Sequence, residues 1–462
     1  MAFRILLAGI LLLLITARTS IASEPYPSTY SALPSGPVLI VNATILTGTG
    51  ERIENGSLLI SEGRIKQISG DPEEISPGDA EVIDAQGRWV TPGLIDVHSH
   101  LGVYASPGIK AHSDGNEATA PVTAQVWAEH SVWPQDPGFN RARAGGVTTL
   151  QTLPGSANLI GGRGVTLKNA PSTTYQGMKF PGAPHGLKMA CGENPKRVYG
   201  ERKQTPSTRM GNVAGYRAQW IEAQKYIADW EEFEQKKSSK KSDKNGSTTT
   251  PKRDLRLETL AAVLKGEVLV HMHCYRADEM ATILDMAREF GYRVSAFHHG
   301  VEAYKIADLL AENGVCGALW ADWWGFKAEA YDGIQENIAI VDRPPGGCAI
   351  VHSDSGEGIQ RLNQEAAKAM TRGNRAGMDI RPEQAIRWVT ANPAKSMGIL
   401  DQTGTLEAGK MADIVIWNGD PFSVYAKADQ VFVDGALLFD RHDPSRQALS
   451  DFELGQQPGA EL

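Results

Sequence analysis

The segment VIDAQGRWVTPGLIDVHSH (residues 82–100) joins a turn, a short apolar strand and a pair of histidines in one run. Thr91-Pro92-Gly93 reads as the turn, and Leu94 to Val97 as a strand buried on both faces. Side chains on a strand alternate, so His98 and His100 point the same way, with Asp96 on that face one step deeper. Two imidazoles at this spacing can hold one metal ion from neighbouring positions. An isolated H-x-H is a weak signal; its place at a strand end, behind a turn, gives it weight.

Downstream, apolar strands alternate with polar or amphipathic stretches: GVTTLQTLP, GLKMAC, EVLVHMHC, YRVSAFHH, GVCGALWAD and GCAIVHSD. Repeated βα units over roughly 300 residues predict an α/β fold with a parallel sheet, which a closed (β/α)8 barrel accommodates. His98, His100, His271, His273, His299 and Asp354 all fall at or just past the C-terminal end of such a strand. In a barrel of this kind that end is the face where active sites are built. The flanks read differently. VLIVNATILTGTGERIENGSLLISEGRIKQIS (38–69), ADIVIWNGDP (412–421) and AKADQVFVDGALLFD (426–440) have the turn-punctuated pattern of short antiparallel strands. Residues 205–254 interrupt the barrel pattern with a helical stretch and a Lys/Ser-rich run, EQKKSSKKSDKNGSTTTPKRD, whose composition is that of a solvated loop.

The net charge of −8 argues against a nucleic-acid partner, since phosphate affinity needs clustered Lys and Arg. Residues 1–23 have the pattern of a signal peptide: Arg4, an apolar core from Ile5 to Ile15, and Ser20-Ile21-Ala22. That core is shorter than the ~20 residues of a membrane span, so an exported protein, periplasmic or secreted, is expected without a stable span. The cysteines Cys191, Cys274, Cys316 and Cys348 are widely spread with no C-x-x-C and lie in or beside apolar runs. They are expected to be buried thiols, with a disulfide open to them in an oxidising compartment.

Residues 82–100 resemble the start of the first barrel strand in the amidohydrolase superfamily, in the group around imidazolonepropionase and Xaa-Pro dipeptidase. TANPAKSMGILDQTGTLEAGKMADIVIWNGDPF (390–422) is similar to that family's return from barrel to small β-domain, with Met411 where the family usually keeps an acid. The resemblance spans about 38–440. It implies a (β/α)8 TIM barrel (91–400) with a composite β-sandwich formed by both chain ends (38–90 and 401–442). It also implies one or two divalent metal ions, Zn²⁺ first by donor type, with Mn²⁺, Fe²⁺ or Ni²⁺ as alternatives.

Carried over by position, the resemblance makes His98 and His100 ligands from the first strand. It makes His271 the ligand of the fifth, with His273 lining the mouth and touching substrate. On the sixth strand it places the ligand at His299 and leaves His298 facing away. Asp354 becomes the metal-bound aspartate of the eighth. The bridging ligand is either a carboxylated Lys188 or Glu193. His112, His130, His185 and His352 are expected to be structural, although His352 shares the face of Asp354. The Gly-rich stretch LPGSANLIGGRGVTLKN reads as a loop after the second strand. Its Arg163, together with Tyr275 and Arg276, could grip a substrate carboxylate. Trp320, Trp323 and Trp324 wall a pocket or pack under helices.

The expected chemistry is hydrolysis of an amide or cyclic amide C–N bond by metal-activated water, with Asp354 as general base and then acid. Alternatives are an Xaa-Pro type dipeptidase, a lactone or phosphotriester hydrolase, and a metal-binding scaffold without catalysis. The partner is a small molecule, and self-association is left open.

Overall fold

The computed structural model describes residues 25–71, 73–238 and 249–447. The signal-peptide stretch and residues 239–248 of the Lys/Ser run lie outside the described residues. The first strands are β1 (Val38–Leu46), β2 (Arg52–Ser61), β3 (Arg64–Ser69), β4 (Glu81–Asp84) and β5 (Trp89–Pro92). β1 pairs antiparallel with β2 and parallel with β4 and β5.

A second sheet follows in chain order: β6 (Leu94–Ser99), β7 (Val147–Thr152), β8 (Ile160–Lys168), β9 (Gly186–Ala190), β10 (Leu269–His273), β11 (Val294–His298), β12 (Cys316–Leu319) and β13 (Ala349–Val351). Every residue of β6, β7, β9, β12 and β13 is buried. Strands covered on both faces read as continuous apolar runs, which is how these appear in the sequence. The sheet curls until its two end strands meet. The Asp354 N–H donates to the His98 carbonyl at 3.0 Å, and the Ser353 N–H donates to Asp96 Oδ1 at 3.2 Å. The Ser353 hydroxyl also donates to Asp96 Oδ2. Burial pushes the Asp96 carboxyl up to about 7, against the pull of these bonds. The result is a nearly closed, barrel-like sheet of eight strands.

One strand departs from the expected parallel order. β8 runs antiparallel to both β7 and β9. It lies inside the stretch expected to be a loop after the second strand. The connection from β7, residues 153–159, is too short for a parallel crossover of about a dozen residues, so the chain must turn straight back. The β8 sequence IGGRGVTLK hides a strand because its glycines break the apolar pattern. At Gly162 (φ +124) a Cβ would lie 2.5 Å from the Val126 carbonyl, so only glycine lets that neighbour pack there.

The last strands, β14 (Ile414–Trp417), β15 (Ala428–Val433) and β16 (Ala436–Asp440), return to the first sheet, where β14 pairs antiparallel with β5. Both chain ends thus build one eight-stranded sheet, with a core of its own that includes Ile40, Ile45, Leu58, Ile60, Ile414 and Phe432. Lys168, at the end of β8, ties the two sheets together. Its buried Nζ lies 2.7 Å from Asp413 and 3.1 Å from Asp434, with Met411 Sδ at 3.6 Å. The helical insertion appears as one long helix, Arg209–Ser238, which seats Tyr216, Trp220 and Ala223 against the barrel core.

The cysteines are not free thiols. Cys191 follows β9 and Cys274 follows β10, and these neighbouring strand ends bring the two Cα atoms to 5.2 Å in a disulfide. Cys316 opens β12, Cys348 directly precedes the adjacent β13, and the two form the second disulfide, Cα–Cα 4.6 Å. Strand adjacency pairs residues that are 83 and 32 positions apart, which spacing in the sequence conceals. Reducing a bridge that closes a long loop releases unfolded-state entropy. Reduction is therefore expected to destabilise the folded chain by about 2–5 kcal/mol. Denaturant unfolding with and without reductant measures it; coincident curves would mean the bridges carry no stability.

Candidate metal centre

The end of β6 delivers His98 and His100 to the barrel mouth. His100 Nδ1 lies 2.8 Å from the Leu153 carbonyl, so Nδ1 carries the proton and Nε2 keeps its lone pair. That Nε2 stands 3.1 Å from Asp354 Oδ1; His98 Nε2 is 3.6 Å from the same oxygen, and His299 Nε2 is 3.8 Å from Oδ2. Asp354 and His299 sit just past β13 and β11 with φ of +49° and +62°. A left-handed backbone costs a residue with a Cβ about 1 kcal/mol or more, and such positions gather at functional sites. Here the turn aims both side chains into the mouth.

That turn also corrects the expectation for the sixth strand. Because His299 leaves the strand alternation, its neighbour His298 faces the barrel interior as well. His298 Nδ1 lies 2.9 Å from His98 Nδ1, and His298 Nε2 lies 2.9 Å from His271 Nδ1. On the other side of the His98 ring, Nε2 lies 3.2 Å from Lys188 Nζ, which also donates to the Pro154 carbonyl at 3.0 Å. These contacts fix the tautomers in sequence. His98 accepts at Nε2, donates from Nδ1 to His298, and His298 donates from Nε2 to His271.

His271 therefore ends a relay below the mouth. Its register partner is Lys188, and it belongs to neither group of donors gathered at the mouth. Its ring and the Gln151 amide crowd over Gly186, where a Cβ would lie 2.7 Å from His271 Cδ2. Those groups are His98, His100 and Asp354, and His98, His299 and His352, each with donor atoms within 4.8 Å of one another. His352, expected to be structural, stands among them. Its place two residues before Asp354 on one face was the signal in the sequence. His273 is one layer above His271, its ring centroid 5.0 Å from that of His299.

The donor set suits a divalent cation. Both ring nitrogens of His273 and His352 and Nδ1 of His299 are buried without a hydrogen-bond partner. An unpartnered buried nitrogen is costly unless another group completes it. Burial holds His98, His273, His298 and His299 well below the ordinary imidazole value, with His271 at about 3 and His352 at about 4. These rings are neutral at pH 7 and keep lone pairs. Burial pushes the Asp354 carboxyl up, but the neighbouring His100, His352 and Lys188 outweigh it and leave the carboxyl below its usual value. Burial lowers Lys188 to about 8, with Asp354 acting against it.

Several expected contacts fall elsewhere. Glu193 opens the helix Glu193–Gly200, 4.0 Å from Arg197, and joins neither donor group. Arg163 lies on β8 with its guanidinium 4.4 Å from the Trp127 ring centroid and its Nε bonded to Thr259. Arg276 is paired with Asp278 at 2.9 Å on the surface. Both arginines brace the scaffold. Tyr275 does reach the mouth, packing 4.6 Å from His273, and Trp320 stacks on His299 at 4.3 Å.

A solved amidohydrolase from Thermotoga maritima MSB8 superposes with a TM-score of 0.77 at 36% identity, covering 87% of this chain and all of that one. The chain belongs to the amidohydrolase family. The family model described as "Amidohydrolase family" matches residues 346–438 of this amidohydrolase, the stretch with β13 and Asp354. Amidohydrolase tasK of Hapsidospora irregularis is 33% identical over 451 residues, which is 87% of this chain but 43% of that protein. The chain thus spans less than half the length of that relative. An imidazolonepropionase of Mesorhizobium japonicum is 26% identical over 392 residues, 79% of this chain and 87% of its own length.

Proposed function

We propose that this amidohydrolase hydrolyses a C–N bond of an amide or cyclic amide, with a divalent cation, Zn²⁺ by donor type, held by His98, His100, His299, His352 and Asp354. The observation that carries the reading is the Asp354 carboxylate set among His98, His100 and His299. A cation bound there supplies Lewis acidity and lowers the pKa of water from about 15.7 to about 7.

The protein's own groups do the rest. Asp354 accepts a proton at Oδ2, the oxygen not engaged by His100, and delivers it to the departing nitrogen. Lys188, fully buried against His98, is the group suited to become a carboxylated bridging ligand, because its lowered pKa keeps a fraction of neutral amine at pH 7. Glu193, opening its helix beside Arg197, is set aside for that role. His298 orients His98 by taking its Nδ1 proton into a fixed hydrogen bond, and His273 and Tyr275 wall the mouth.

The test is hydrolysis of N-acyl amino acids, Xaa-Pro dipeptides and cyclic amides by the metal-loaded protein. Turnover of none of them, with metal bound, would sink the reading. His298→Phe keeps an aromatic ring but removes both bonds, so metal affinity is expected to fall about 10- to 100-fold. Chelator competition measures this, and an unchanged affinity would remove His298 from the account. Export is part of the same proposal. It is supported by the two disulfides, which persist in oxidising compartments. A mature N-terminus near residue 24 in the extracytoplasmic fraction is the expected finding; an intact Met1 in the cytosol would refute it.

A further inference from the structure

Besides Lys188, a second cation near the donor groups forms no ion pair among the described residues. Lys327 lies on the segment that follows β12 and is half-buried. Its Nζ donates to Asn194 Oδ1 at 2.8 Å and stands 4.4 Å from the Tyr275 ring centroid. Asn194 is itself fixed, its Nδ2 bonded to Ser156 at 2.7 Å. Tyr275 packs on His273 and lies 6.1 Å from His299, so the ammonium is one aromatic ring away from the donor groups.

An ammonium has three N–H donors. Asn194 takes one and the Tyr275 face takes the charge of another, leaving a donor for a ligand. Among the described residues Lys327 forms no ion pair. Glu329 is turned to the Glu193 N–H, at 2.9 and 3.0 Å from its two oxygens, and Glu193 faces Arg197. Burial lowers the Lys327 pKa, while Glu193 and Glu329 act against it and favour the charged form. Arg163 and Arg276, the cations that the sequence offered for an anionic substrate, both point elsewhere.

We infer that Lys327 anchors a carboxylate of the substrate, so that the enzyme's preferred amides are those of N-acyl amino acid type, with the anionic group beyond the scissile bond. This rests on the hydrolase reading of the centre. The alternative role, pinning the segment to Asn194, has a different signature, because it would affect charged and neutral ligands equally.

The probes are N-acetyl-L-methionine and its neutral analogue N-acetyl-L-methioninamide, titrated calorimetrically into metal-loaded protein carrying Asp354→Asn, so that binding is read without turnover. Adding Lys327→Met is expected to weaken the acid by about tenfold or more, as for loss of a charge-assisted bond, with the amide unchanged and Lys327→Arg restoring most of the loss. Equal weakening of both probes, or no preference for the acid before Lys327 is changed, overturns the inference. Failure of the hydrolase reading looks different: the acid still binds in a Lys327-dependent way, yet wild-type protein cleaves no amide.

Discussion

Asp354→Asn is expected to lower kcat by about 10³-fold or more while the chain stays folded and retains most of its metal. The change is nearly isosteric, and asparagine tolerates the left-handed backbone that holds residue 354 at φ +49°. The amide oxygen can still face His100 Nε2 and serve as a donor atom. What disappears is the negative charge and the capacity to take a proton. A general base and acid contributes about 10²–10⁴-fold, and this residue serves in both halves of the reaction. Turnover and metal content measured on one preparation separate the roles. Turnover within about tenfold of wild type would remove Asp354 as the proton carrier.

His98→Ala is expected to abolish metal binding and to destabilise the fold even without metal. His98 is the residue common to both donor groups. Its ring also joins Lys188 at one nitrogen and His298 at the other, and it is fully buried. Truncation opens a cavity and leaves Lys188 Nζ and His298 Nδ1 each short of one partner. Those terms together are expected to cost about 3–5 kcal/mol. His100→Ala provides the contrast. His100 is partly exposed and its Nδ1 bonds only the Leu153 carbonyl, so its loss should weaken the metal while leaving the metal-free unfolding midpoint close to wild type. Denaturant curves in excess chelator measure the difference. Equal midpoints for the two variants would mean the buried relay contributes no stability.

Much of this architecture was legible in the sequence because of where the polar residues fall. His98, His100, His299 and Asp354 end apolar runs, and a parallel strand buried on both faces announces itself by such a run. What was hidden followed from contacts that no local pattern carries. β8 is antiparallel and glycine-rich, so it has neither the period nor the composition of a strand. His298 and His299 were separated by strict alternation, which the positive φ at His299 suspends. His271 and His273 share a face, and only depth in the barrel distinguishes the relay member from the one beside His299. The cysteine pairs, and the switch of the mouth's cation from the arginines to Lys327, depend on which strand ends become neighbours.

The proposed chemistry requires these histidines and Asp354 to bind a divalent metal. Calorimetric titration of chelator-stripped protein with Zn²⁺, followed by chelator competition, tests it most directly. Tight, saturable binding of one or two equivalents per chain and a raised thermal midpoint are expected. Binding no tighter in wild type than in His98→Ala would contradict it.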